Sequence, residues 1–131
     1  MPLVHISLSA EKPAAYARAV ADGVHRALVE TFGIPADDRF QLVHRHLAGE
    51  IVCDPRYPGV ERTSDFLCVQ VIVGRVRDAA TKRSFFARLA AILAERPGLR
   101  PDDLMIVVQT TGSEDWSFGR GEAQGIAPVS S

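Results

Sequence analysis

The sequence predicts an α/β (α+β) domain: a duplicated β-α-β unit whose four strands form one sheet, with two helices on one face. Three observations carry this. "GIPADDRFQLV", from Gly33, returns as "GLRPDDLMIVV", from Gly98, at a spacing of 65 residues (98 − 33). The same ungapped shift lays "PLVHISL" (2–8) over "LCVQVIV" (67–73) and the helical pattern Tyr16 to Leu28 over Thr81 to Leu93. Val4/Val69, Arg18/Arg83, Leu28/Leu93, Asp37/Asp102, Asp38/Asp103 and Val43/Val108 are identical in that one register. Finally, each half switches from strand to helix to strand periodicity. The 131 residues thus read as a single domain of two pseudo-repeats, about 2–48 and 65–112, with a linker at about 53–64 and a C-terminal extension.

In the first unit, residues 3–8 alternate as a strand. "SAEKPAAYARAVADGVHRALVETF" follows, where Ser9 can cap a helix and Pro13 sits in its first turn. Tyr16, Val20, Val24, Leu28 and Phe32 form one apolar stripe, Gly33 ends the helix, and "RFQLVHRH" resumes strand alternation. "CDPRYPGVERTS" is a turn-rich connection. In the second unit "DFLCVQVIV" is a strand and Asp78 caps a helix whose stripe is Phe85, Leu89, Ile92 and Leu93. "RPG" stops that helix and "LMIVVQTT" is the last strand. "FLCVQVIV" and "LMIVV" are apolar on both faces, so the sheet face without helices calls for further copies of the chain as cover.

A net charge of −1 excludes an electrostatic case for nucleic-acid or membrane-surface partners. Cys53 and Cys68 stand in no metal-ligand or redox spacing. With no signal peptide or long apolar run, they read as reduced thiols of a cytoplasmic protein. The tail "GEAQGIAPVSS" reads as a loose C-terminus.

Several residues carry chemistry or plain structure. Pro2 follows Met1, and a small residue there favours methionine removal, which would leave a secondary amine at Pro2. A strand-edge proline is the structural alternative, yet the repeat-related position is Leu67, so the fold does not require proline there. Arg75 and Arg77 are two apart, and on a continued strand they point the same way. They form either a solvated pair or an anion site in which guanidinium forks meet a helix N-terminus. Asp38 is either catalytic or, like its counterpart Asp103, a loop residue at the start of a strand; Asp37 and Asp102 read as structural. Trp116 and Phe118 in "DWSFGRG" serve as core aromatics, as the wall of a site, or as both. His44 and His46 share a strand face, but no cysteine or carboxylate stands at matching spacing, so no metal site is assigned. His5 and His25 read as packed or surface histidines.

Pro2, the duplicated unit, "PADDR", "RVR" and "DWSFG", in this order, resemble the tautomerase superfamily and within it the malonate semialdehyde decarboxylases. The resemblance runs from "MPL" through "DWSFG". It implies a trimer of fused β-α-β units, no cofactor, and a small carboxylate substrate. It also implies Pro2 as the catalytic amine, Asp38 as an acid hydrogen-bonded within the site, Arg75 and Arg77 as paired arginines, and Trp116 and Phe118 as pocket walls. Retention of Met1 would make the Pro2 nitrogen a non-basic amide.

The activity this resemblance implies is decarboxylation of a short 3-oxo acid, malonate semialdehyde to acetaldehyde and CO₂. The alternatives are a keto-enol tautomerase or hydratase using the same site, which for tautomerisation needs a neutral proline. A further alternative is a non-catalytic, ferredoxin-like binding module; strand order separates it, because the duplicated unit makes each half's strands parallel neighbours.

Overall fold

The computed structural model describes residues 1–125; the end of the predicted C-terminal extension, from Ile126 on, lies outside the described residues. Its elements are β1 (Pro2–Ser9), α1 (Ala14–Phe32), β2 (Gln41–His46), β3 (Leu67–Val73), α2 (Ala79–Glu95) and β4 (Leu104–Thr110), with short 3₁₀ turns at Pro101–Asp103 and Ser113–Asp115. The strand order is β2-β1-β3-β4. β1/β2 and β3/β4 are parallel pairs, and the two halves meet antiparallel along β1/β3.

The registers display the repeat directly. Val4 pairs with Gln41 and Val69 with Ile106, so both members of the pair recur 65 residues on. Each half's strands are therefore parallel neighbours, which overturns the ferredoxin-like reading. The repeat-related glycines after each helix, Gly33 and Gly98, both adopt positive φ, +70° and +100°, where a side chain is disfavoured, although α1 runs to Phe32 while α2 stops earlier in its repeat, at Glu95.

Strand alternation decides what is buried. Val4, Ile6 and Leu8 of β1 and Leu67, Val69, Val71 and Val73 of β3 face the helices and are sealed from solvent. Against them pack Val20, Val24 and Leu28 of α1 and Phe85, Leu89 and Leu93 of α2, the stripes the 3.6-residue period predicts. The helices approach closely at Gly23, where an added Cβ would sit 2.8 Å from Leu93 Cδ2. They are also tied by Glu30, which accepts from Arg26 of its own helix and Arg88 of α2.

Three local expectations are corrected. Helix α1 starts at Ala14 with Pro13 as its N-cap residue, and Ser9 Oγ instead accepts the Glu11 N–H in the preceding turn. Proline, with φ fixed at −67°, already suits a helix start, so no hydroxyl is needed. Strand β3 begins at Leu67, because Thr63 and Phe66 close a turn before it. It ends at Val73, so Arg75 and Arg77 do not lie on a continuing strand. Asp78 caps α2 as expected, accepting from Thr81 N–H at 2.8 Å.

The linker carries no helix or strand but is internally bonded. The Asp54 carboxylate accepts from the N–H groups of Arg56 and Tyr57, and those bonds hold its pKa below the usual value. The far sheet face is mixed: Leu42, Met105 and Val107 are exposed, and among them stand His5, His44, Gln70 and Gln109. The His5 and His44 rings stack, with ring nitrogens 2.8 Å apart. No helix of the described residues is long and apolar enough to cross a membrane.

Candidate active site

The start of β1 gathers the chemistry. Val4 N–H donates to the Phe40 carbonyl at 2.9 Å. Two residues earlier, alternation turns the Pro2 nitrogen to the same side, toward the segment Asp38–Phe40. Consistently, the Met1 amine lies 3.8 Å from Asp38 Oδ2. The other oxygen, Asp38 Oδ1, is buried and has no hydrogen-bond partner among the described residues. A partly buried carboxylate with one sealed, unpaired oxygen beside the chain's amino end is the kind of group that functional sites retain.

Two depressions flank Met1. One, of about 300 Å³, is lined by Met1, Gly74, Arg75, Ser113, Trp116 and Phe118. The other, of about 210 Å³, is lined by Met1, Pro2, Leu3, Phe40, Trp116 and Phe118. Met1, Trp116 and Phe118 are common to both, so removing Met1 takes away a side chain that borders each.

The structure brings Pro2, Asp38, Arg75, Trp116 and Phe118 to one end of the sheet. Arg77 is turned away from this group. Its guanidinium lies 4.7 Å from the Phe32 ring centroid, and it donates to the Phe32 carbonyl at 3.4 Å and the Arg75 carbonyl at 3.1 Å. A cation there faces the C-terminal carbonyls of α1, where the helix dipole favours it. Burial first, and the charge of Arg75 second, lower its pKa from the ordinary arginine value. Trp116 stacks obliquely on Phe118, with centroids 5.7 Å apart, and donates from Nε1 to Thr111 Oγ1 at 2.6 Å.

Phe40 and Thr111 belong to this site but were not singled out from the sequence. Phe40 is 49% exposed, an aromatic two residues after Asp38, and that position was the available signal. Thr111 gave none, because its importance lies in a contact with Trp116 across a turn.

The repeat builds a second cavity, of about 240 Å³, at the opposite end of the sheet. Its lining includes Phe66, Ser9, Ala48, Ile51 and Cys53, the counterparts of Met1, Gly74, Ser113, Trp116 and Phe118. There Leu67 replaces Pro2 and Ala10 replaces Arg75. Lys12, in the place of Arg77, is paired with Asp65 at 2.7 Å. The fold thus makes two similar ends, and the proline and both arginines stand at only one.

Comparison with known proteins places the chain in a family. Two family models described as "Tautomerase enzyme" match residues 38–119 and 2–60. The chain belongs to the tautomerase family. It is 32% identical over 124 residues to the probable tautomerase YrdN of Bacillus subtilis (strain 168), covering 95% of each chain. To the probable tautomerase YusQ of the same organism it is 29% identical over 126 residues, covering 96% of this chain and 99% of YusQ. Among solved structures it resembles FG41 malonate semialdehyde decarboxylase inhibited by 3-bromopropiolate. That match has 35% identity and a TM-score of 0.86, covering 93% of this chain and 92% of the other. A second malonate semialdehyde decarboxylase, described with decarboxylase and hydratase activities, matches at 34% identity and TM-score 0.86, covering 94% and 95%. This tautomerase-family chain is accordingly an enzyme of that superfamily with a four-stranded, two-helix tautomerase fold.

Proposed function

We propose that this enzyme decarboxylates a short 3-oxo acid, malonate semialdehyde to acetaldehyde and CO₂, from a homotrimer and with Pro2 as its amino-terminal amine. The observation that carries the proposal is the convergence of Arg75, the Asp38 carboxylate and the aromatic pair on the end of β1 that bears Pro2. The 34–35% identity with two decarboxylases over more than nine-tenths of the chain supports it.

In this reading Met1 is removed and Pro2 carries a secondary ammonium held by Asp38. The N–H hydrogen-bonds the aldehyde oxygen of the substrate. As the C–C bond to the carboxylate breaks, CO₂ leaves and its electron pair moves into the polarised carbonyl, giving the enolate of acetaldehyde, its oxygen hydrogen-bonded by the Pro2 N–H. One proton from water, added at carbon, completes the product. Arg75 binds the carboxylate, and Arg77 donates to the Arg75 backbone and adds positive field. Simple attraction would stabilise the ground-state charge that the reaction destroys. The useful work of Arg75 is orientation, setting the breaking bond perpendicular to the carbonyl plane. The Trp116 and Phe118 walls favour the less charged transition state.

The names of the curated relatives favour a second reading, a keto-enol tautomerase. It uses the same residues, with Pro2 neutral and shuttling a proton between carbon and oxygen. Incubation with malonate semialdehyde, followed by NMR, separates the two: acetaldehyde and CO₂ support the decarboxylase, and isomerised oxo-acid without CO₂ release supports the tautomerase. Intact mass should show loss of Met1, and 3-bromopropiolate should label Pro2. An active protein that retains Met1, or label on another residue, would overturn both.

A further inference from the structure

We propose that Thr111 is a positioning residue that fixes the Trp116 wall to the strand end facing Pro2; its kinetic consequence rests on the function proposed above. The backbone N–H and the hydroxyl of Thr111 both donate to the Val73 carbonyl, each at 2.8 Å. Val73 is the register partner of Pro2 on β3. With its one hydroxyl proton given to Val73, Thr111 Oγ1 is left as an acceptor, and Trp116 Nε1–H fills it at 2.6 Å. A chain of hydrogen bonds therefore runs from the strand position opposite Pro2 to the indole.

A second contact bears on the same edge of the indole. Trp116 lies across Gly74, where an added Cβ would be 3.2 Å from Nε1 and 3.7 Å from Cδ1. Gly74 immediately precedes Arg75, so the residue under the indole adjoins the cation of the site. Ring, glycine and guanidinium are placed by one short turn.

The fold does not demand this arrangement. In the first repeat the positions equivalent to Thr111 and Trp116 are His46 and Ile51. Isoleucine has no side-chain donor, and His46 Nε2 is buried with no partner among the described residues. The hydroxyl–indole bond exists only at the end of the sheet where Pro2, Asp38 and Arg75 stand. An indole whose N–H is satisfied stays in one orientation, whereas an unsatisfied buried N–H turns toward water.

Trp116 is the chain's sole tryptophan, so its environment is read directly by fluorescence. Thr111→Val keeps the shape and removes the hydroxyl, and Thr111→Ser restores it. The expectation for Thr111→Val is a shifted emission maximum, increased acrylamide quenching and a loss of about tenfold in kcat/KM, the scale of one net hydrogen bond. KM should carry most of that loss, because the wall bounds the bound substrate while Pro2 and Arg75 remain. Thr111→Ser should return both readouts to wild type. Gly74→Ala, which pushes on the same ring, should shift the fluorescence in its own right and gives the answer if Thr111→Val fails to fold. Unchanged emission and quenching in both Thr111→Val and Gly74→Ala would overturn the proposal. The fluorescence arm needs no turnover, so an enzyme inactive on 3-oxo acids would overturn the proposed function and leave this positioning role standing.

Discussion

Asp38 and Asp103 stand at the same place in the two repeats, yet only Asp103 has both carboxylate oxygens engaged. Asp103 is fully buried and accepts from the Thr63 N–H at 2.6 Å and the Thr63 hydroxyl at 2.7 Å, with Arg100 3.5 Å away. Asp38 has the Met1 amine at 3.8 Å from one oxygen and, among the described residues, no hydrogen-bond partner on the other. The difference arises outside the shared motif. Thr63, in the linker before the second repeat, supplies the donors to Asp103, and among the described residues no donor reaches Asp38 Oδ1.

The two carboxylates should therefore separate by phenotype. Asp103→Ala leaves the Thr63 donors unpaired and should lower unfolding free energy by about 1–3 kcal/mol, measured by urea denaturation. Asp38→Asn should leave stability within about 0.5 kcal/mol and slow turnover by roughly a hundredfold, the low end for a lost acid–base group. Equal destabilisation by both variants would show that Asp38, too, is a structural residue.

The arginines should also divide. Arg75 lines the cavity and Arg77 lies over Phe32 at the end of α1. Arg75→Ala should cut kcat/KM by about a hundredfold with an unchanged melting temperature, as for loss of one charge-stabilising donor. Arg77→Ala should lose about 1 kcal/mol of stability from its cation–π and helix-end contacts, in addition to slower turnover. A fully stable Arg77→Ala protein would mean that the Phe32 contact contributes nothing.

Most of the fold was legible because its signals are periodic. The spacing of 65 residues foretold that both halves repeat one parallel pairing, whereas "FLCVQVIV", read as apolar on both faces, is sealed only on the side of Leu67, Val69, Val71 and Val73. What escaped depends on where one side chain meets another far along the chain. The start of α1 went to Pro13 because backbone angle outweighed side-chain capping by Ser9. The direction of Arg77 depended on β3 stopping at Val73, which local propensity does not reveal. Asp38 and Asp103 are indistinguishable by their shared "DD", since the Asp103 partners that tell them apart, Thr63 and Arg100, lie outside it. Of the site, Pro2, Arg75, Trp116 and Phe118 came together as the sequence suggested, and Phe40 and Thr111 joined them only in three dimensions.

The tie between the helices has a defined acid response. Arg88 first, and Arg26 second, hold the Glu30 carboxyl at a pKa of about 2, below its ordinary 4.5. A lowered folded-state pKa contributes stability above the unfolded value and loses it as pH falls through the folded one. The melting temperature of wild type relative to Glu30→Gln should thus hold steady down to about pH 4.5 and converge toward pH 2. Because the pair is exposed, 0.5 M salt, roughly a 4 Å Debye length, should shrink the difference at neutral pH. A gap independent of both pH and salt would assign the effect of the substitution to something other than charge.

The far face of the sheet makes the last prediction. Leu42, Met105 and Val107 are 47%, 46% and 40% exposed on a surface that no helix covers. Val107 stands midway along the edge strand β4, paired with Gln70 of β3, which in turn pairs with His5 of β1. Apolar side chains displayed together on a sheet are normally buried against a partner, and closed symmetry lets identical copies supply that cover. The wild-type protein should sediment as a trimer at micromolar concentration. Val107→Lys puts an unpaired charge where each copy meets the next and should give a monomer, because a buried cation without a counter-charge costs several kcal/mol. The side chain of Val107 points away from the helices, so the monomer should keep its helical circular dichroism. Turnover in that monomer then tells whether the end of β1 is sufficient as a site or needs the neighbouring copy. A wild-type protein that is monomeric at micromolar concentration, or a trimer indifferent to Val107→Lys, would mean that this face is not where the copies meet.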